Sequence, residues 1–253
     1  MSSIFTLDAI VSLITLTFLE IVLGIDNIIF ISIASSKLPK EERGKARNIG
    51  LFLAMGFRIL LLFGISFLIS LQEPFLHFHS TFIQAAPSGQ AIILFLGGLF
   101  LIYKATNEIY EKIEHVESPL DPIEKPNAAK KMMNVVIQIA VINLVFSIDS
   151  ILTAIGLSDQ IFIMIIAVIL SALIMMLFSG PVGDFVNNHP SLQVLGLSFL
   201  IMIGFMLIAE ASHNSELSIL GNHIGAIPKG YLYFAIAFSV GVEFLNIKIR
   251  KRS

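Results

Sequence analysis

The chain has 253 residues, 56% hydrophobic and 13% charged, where a soluble domain usually carries about 25% charged residues. Its formal net charge of −2 offers no basic surface for nucleic acid. It has no cysteine, which excludes disulfides, iron–sulfur clusters and thiolate metal sites, so any metal must be held by oxygen or histidine nitrogen.

A helix that crosses a bilayer needs about 20 mostly apolar residues. Seven stretches qualify, at 8–35, 47–71, 89–106, 131–157, 160–179, 191–210 and 231–247. The expected fold class is therefore all-α, a polytopic membrane protein with seven transmembrane helices in the lipid bilayer. The opening "MSSIFTLDAIVSLITL" lacks a basic region and a small-residue cleavage site, and reads as the start of a retained helix. The fifth and sixth stretches, "IFIMIIAVILSALIMMLF" and "LQVLGLSFLIMIGFMLIA", carry no charge. A buried soluble bundle would need polar faces at helical period, and these have none.

The first stretch contains "LEIVLGIDNIIF", Leu19 to Phe30, with Glu20, Asp26 and Asn27 inside an apolar run. A carboxylate at the bilayer centre costs at least ~2.5–3.5 kcal/mol on insertion scales. Setting aside charges within two residues of a span end, the spans hold four acids, Glu20, Asp26, Asp149 and Glu243, against one base, Arg58. Arg58 is expected to face the interior and pair with one acid, and the acidic excess points to a cation. On a straight helix Glu20 and Asp26 do not share one narrow face. Gly24 between them permits a local break, which would free backbone carbonyls as further ligands. Glu243 lies near the end of its span, where it can simply snorkel.

Lysine and arginine set the orientation. The first connection, "SSKLPKEERGKARN", holds Lys37, Lys40, Arg43, Lys45 and Arg47. The third holds five lysines from Lys104 to Lys131, and the tail "KIRKRS" holds four basic residues. "QEPFLHFHSTFIQAAPSGQ" and "SDQ" hold none. The N-terminus is thus expected outside and the C-terminus in the cytoplasm. The connection "GPVGDFVNNHP" falls inside yet has no basic residue, the one exception. His77, His79, His213 and His223 fall on the outer side, where polar loop residues are the ordinary reading and a transition-metal site the alternative.

The two halves resemble each other. "LEIVLGIDNIIFISIAS" aligns with "INLVFSIDSILTAIGLS", pairing Glu20 with Asn143, Gly24 with Ser147, Asp26 with Asp149 and Asn27 with Ser150. "GLFLIYKA" aligns with "GFMLIAEA". Three helices per copy make the second copy inverted, which places a substrate site near mid-membrane at the repeat interface. The expected organisation is a first repeat over 1–110, a cytoplasmic linker over 111–130, and a second repeat with the seventh helix and basic tail over 131–253. The candidate metal ligands are Asp26, Asp149, Glu20, Asn27, Asn143 and Ser150. Carboxylate, amide and hydroxyl oxygens suit Mg2+, Ca2+ or Mn2+ rather than Zn2+ or Cu+, and do not choose among the three.

Two membrane aspartates also suggest an intramembrane aspartyl protease, but "LGID" and "FSID" lack the "YD" and "GxGD" motifs of that class. A retinal protein would need a lysine in the middle of the seventh span, and "YLYFAIAFSVGVEFLNI" has none. A membrane chaperone delivering metal to secreted enzymes is a further alternative. No phosphate-binding GxxxxGK[ST] motif is present, which argues against direct ATP hydrolysis, and proton exchange is the plausible coupling. No catalytic residue or prosthetic group is expected, and no oligomeric state is encoded in these patterns.

"FLEIVLGIDNIIFISI", "NLVFSIDSILTAIG", "GGLFLIYKATNEI" and "PKGYLYFAIAFSVGVEFLNI" together resemble the TerC family of bacterial integral membrane proteins. That resemblance covers nearly the whole chain. It implies two inverted three-helix repeats plus one helix, a bacterial inner-membrane location, and Mn2+ export with a link to tellurium resistance. The family's motif acids fall on Glu20, Asp26 and Asp149, beside Asn27, Asn143 and Ser150.

Overall fold

A computed structural model describes residues 7–22, 24–80, 82–114, 128–155 and 160–250. In chain order the elements are α1 (Leu7–Val22), α2 (Ile25–Ser36), α3 (Lys40–Phe63), α4 (Ile65–Ser70), β1 (Phe78–His79), β2 (Ile83–Ala85), α5 (Gly89–Glu114), α6 (Ala128–Ile155), α7 (Ile161–Asn187), α8 (Pro190–Asn214), β3 (Ser218–Ile219), β4 (Asn222–His223) and α9 (Lys229–Arg250). Among the described residues, six helices are long and apolar enough to cross a membrane, and Ala9–Val22 is a shorter apolar one. The first expected span is thus two helices in series, α1 and α2.

The interruption falls at Gly24, where the sequence placed it. It is tight rather than open. The Gly24 N–H donates to the Ile21 carbonyl at 3.0 Å, and the Gly24 carbonyl accepts from Ile28 at 3.1 Å. Both carbonyls are engaged, so the expectation of freed backbone ligands does not hold at these two. Gly24 has an ordinary right-handed conformation, φ −100° and ψ −2°. Its need for glycine is steric, because a Cβ there would lie 2.5 Å from the Met175 sulfur of α7. The second span is also divided, at Gly64, between α3 and α4.

Two connections read as loops are helix instead. α3 starts at Lys40, so Arg43, Lys45 and Arg47 belong to its first turns. Glu41 and Glu42 in the first turn complement the partial positive charge of the helix N-terminus. α7 runs on to Asn187 with Pro181 inside it, which reduces the expected 180–190 connection to Asn188 and His189. Proline forfeits one backbone hydrogen bond, a loss that membrane helices tolerate where neighbours or local adjustments re-satisfy the freed group.

The all-α expectation needs one amendment. The α4–α5 and α8–α9 connections form a small antiparallel sheet in the order β1-β2-β3-β4. The β3–β4 turn has positive φ at both central residues, Leu220 at 54° and Gly221 at 79°. That is the backbone sign of a type I′ turn, which matches strand twist.

The chain forms two compact units, each drawing helices from both halves of the sequence. One comprises Met1–Ser70 and Asp121–Asn187, the other Leu71–Leu120 and Asn188–Ser253. In the first unit, α1 and α2 pack on α7, and α3 packs on α6 and α7. A Cβ on Gly50 of α3 would sit 2.5 Å from Ile139 of α6, so small residues set the close approach of helices. In the second unit α5 packs along α8. Lys112 near the end of α5 donates to Gln193 near the start of α8. Ala91 and Phe95 at the other end share a cavity with Ala211 and Ser212. The two helices therefore run antiparallel.

Candidate functional site

The site grows from one buried carboxylate. Glu20 lies on the last turn of α1 and is 3% exposed. Its partner is Arg58 of α3, 8% exposed, whose Nη1 donates to Glu20 Oε2. The interior position and acidic pairing expected of Arg58 are both present. Its Nε also donates to Ser147 Oγ of α6 at 3.3 Å. One guanidinium thus ties α1, α3 and α6 together.

Ser147 and Asn143 lie on one face of α6. The Ser147 hydroxyl donates to the Asn143 carbonyl at 2.6 Å, and the Asn143 amide donates to the Ile139 carbonyl at 2.9 Å. Ser150 donates to the Ser147 carbonyl at 3.2 Å and is buried. These bonds spend side-chain donors on the helix's own backbone, and the Asn143 amide oxygen is not consumed by them. Beside them is a cavity of about 20 Å³, room for about one water-sized guest. Arg58, Asn143 and Ser147 supply its polar wall, and Val168, Ala172 and Met175 of α7 its apolar one.

Of the six expected ligands, Glu20, Asn143 and Ser150 are described as buried residues. Asp26 and Asn27 lie on α2 and Asp149 on α6, but their side chains fall outside the described residues. Among the described residues no group of three or more histidines and acids could hold a metal ion. His77, His213 and His223 are exposed. Ser147 is a contributor beyond the six expected ligands, and its match to Gly24 is the one sequence signal of its register.

A second buried arginine belongs to a stretch with a loop's composition. Arg47 is 5% exposed and lies over Gly183 of α7, where any Cβ would collide with its guanidinium. Its Nη2 is 4.0 Å from Asp184 Oδ1. The stretch 180–190, which has no basic residue of its own, therefore has a basic residue of α3 beside it. In the other unit, Glu108 is 2% exposed and pairs with Lys104 at 3.0 Å, one helical turn away. Glu243 accepts from Ser191 at 2.5 Å and from Asn246 at 3.4 Å, so it is held to α8 and does not merely snorkel.

Comparison with known proteins places these features. The family described as "Integral membrane protein TerC family" matches residues 5–253. A "UPF0053 protein" of Haemophilus influenzae is 45% identical over 244 residues, covering 96% of this chain and 95% of that protein. "UPF0053 inner membrane protein YgdQ" of Escherichia coli K12 is 44% identical, covering 94% of this chain and 92% of that protein. "UPF0053 protein YegH" of the same strain is 45% identical over 92% of this chain, which spans only 41% of that longer relative. No solved structure matches the chain.

Proposed function

Because the chain belongs to the TerC family of integral membrane proteins, we propose that it is a multi-pass transporter of the bacterial inner membrane that exports a divalent cation, Mn2+ before others. The observation that carries this reading is the buried polar centre of the first unit. The Glu20 carboxylate on α1 and the Ser147 hydroxyl on α6 both meet Arg58, and the Asn143 amide and Ser150 hydroxyl lie one turn to either side of Ser147 on α6. These are the hard donors that Mn2+, Mg2+ and Ca2+ take. Asp26 follows Glu20 by six residues, across the break at Gly24, and Asp149 directly precedes Ser150; in this reading the two supply the further charge. The preference for Mn2+ comes from the family resemblance.

In this reading Glu20, Asp26 and Asp149 attract the cation, while Asn27, Asn143 and Ser150 replace part of its water shell. The apolar wall of Val168, Ala172 and Met175 keeps bulk water from the centre and strengthens each electrostatic contact. The inverted-repeat arrangement is supported by helix direction. Contacts of Gly24 with Met175 and of Ser32 with Gly183 make α1–α2 and α7 parallel, and contacts of Gly50 with Ile139 and Arg58 with Ser147 make α3 and α6 parallel. Those are the relative directions that an alternating seven-span path requires, with either terminus outside. The location draws support from the relative named an inner membrane protein.

The deciding experiment is flux into proteoliposomes, comparing Mn2+, Mg2+, Ca2+ and Zn2+. Saturable Mn2+ movement absent from protein-free vesicles is the expected result. Absence of movement for every cation removes the transporter reading and leaves the metal-delivery alternative.

A further inference from the structure

Resting on the cation-transport reading above, we infer that Arg58 is a tethered counter-cation: it occupies Glu20 while the site is empty, and the transported ion must displace it. Three observations carry this. First, Arg58 Nη1 holds Glu20 Oε2, so the one described intramembrane carboxylate of the site is already neutralised. Second, that neutralisation is permanent in kind, since a guanidinium does not give up its proton in proteins. An empty site therefore needs no proton on Glu20 to stay stable. Third, the guanidinium has a second anchor, Ser147 Oγ at 3.3 Å, and borders a cavity of about 20 Å³ also lined by Asn143 and Ser147. There is room beside the arginine for one small ion, yet a divalent cation there would face a like charge.

The consequence is a competition for Glu20. A cation that binds must pull Glu20 from Arg58, and the displaced guanidinium retains Ser147 as a neutral partner. When the cation leaves, Arg58 closes back on Glu20. The arginine thus weakens binding and speeds release, which a transporter needs and a storage site does not.

The test uses the purified full chain, with Mn2+ binding by titration calorimetry and Mn2+ flux in proteoliposomes. Arg58→Gln should bind Mn2+ at least tenfold more tightly and transport it more slowly, because release is impaired. Glu20→Gln combined with Arg58→Gln should lose that gain in affinity. Unchanged or weaker Mn2+ affinity in folded Arg58→Gln overturns the inference. Should that variant fail to give monodisperse protein, Arg58→Lys carries the same test. A lysine is a point charge without the forked geometry that reaches Glu20 and Ser147 together, so affinity should rise a few-fold. No rise in Arg58→Lys equally overturns the inference. Wild-type protein that moves Mn2+ alongside an Arg58 variant of unchanged affinity sinks the counter-cation alone. Wild-type protein that neither binds nor moves any divalent cation sinks the transport reading and this inference with it.

Discussion

Gly98 of α5 and Gly204 of α8 exclude each other's side chains reciprocally. A Cβ on Gly98 would lie 2.6 Å from the Gly204 carbonyl oxygen, and a Cβ on Gly204 would lie 2.8 Å from the Gly98 carbonyl oxygen. The next neighbours are reciprocal too: Ile208 lies 2.8 Å from the first and Ile102 lies 2.6 Å from the second. Gly98 and Gly204 open the two segments "GLFLIYKA" and "GFMLIAEA", and Ile102 and Ile208 hold matching places in them. Contacts in which residue i meets j while j meets i are what a two-fold axis produces. Antiparallel helices fit an axis in the membrane plane, which supports the inverted-repeat reading.

Valine at either glycine should therefore do the same damage. The opposing atom is backbone and cannot swing away, so Gly98→Val and Gly204→Val should each cost ~1–3 kcal/mol of overpacking. Thermal unfolding in detergent measures it. Equal losses in both single variants, with a double variant short of their sum, are expected because both act on one crossing. A harmless Gly204→Val beside a damaging Gly98→Val would contradict the reciprocity.

The buried ion pair gives a second expectation. Arg58→Ala leaves Glu20 buried without its partner, and Glu20→Ala leaves Arg58 so. Each should destabilise by ~3–5 kcal/mol, the usual effect of breaking a buried pair. Replacing both with neutral residues removes the uncompensated charge and should recover much of that loss. A double-mutant cycle by thermal unfolding gives the coupling, and additive losses would show that the pair does not stabilise the unit.

Much of this was legible in the residues themselves. All the expected spans correspond to helices because apolar length alone marks a membrane crossing. The break at Gly24 and the interior place of Arg58 followed from steric freedom and from the cost of a lone charge. What escaped was decided by tertiary contacts. "KEERGKARN" has a loop's composition, yet α3 begins there and buries Arg47 against Gly183 of α7. "GPVGDFVN" has three helix breakers, Gly180, Pro181 and Gly183, yet α7 continues through all three, with Arg47 lying against Gly183. The small sheet has strands of two and three residues, too short for any periodic signal. Ser147 was visible only as the counterpart of a glycine, and its role depends on the arginine that reaches it.

Topology is open to direct test, because the chain is naturally free of cysteine. Ser80→Cys should react with a membrane-impermeant maleimide in intact cells. Cysteines at Val116 and Ser253 should react only after the membrane is opened. Ser80 and Val116 labelling from the same side would remove one crossing between them and overturn the proposed orientation.

The aspartates of the two "ID" motifs carry the last expectation. Asp26 on α2 and Asp149 on α6 hold matching places in the repeats, and α2 contacts α6 within one compact unit. Asparagine keeps the size of aspartate and removes its charge. An intramembrane charge is costly to insert, so Asp26→Asn and Asp149→Asn should fold and insert at least as well as the parent. A divalent ion stripped of water depends on charged oxygen ligands, so each variant should lose most Mn2+ flux. Ser150→Ala should be milder. Its hydroxyl donates to the Ser147 carbonyl and can offer an ion only a neutral lone pair. Flux measured at matched protein incorporation separates a transport defect from an insertion defect. Full Mn2+ flux in the double asparagine variant would show that the charges in these motifs serve the fold and not the ion.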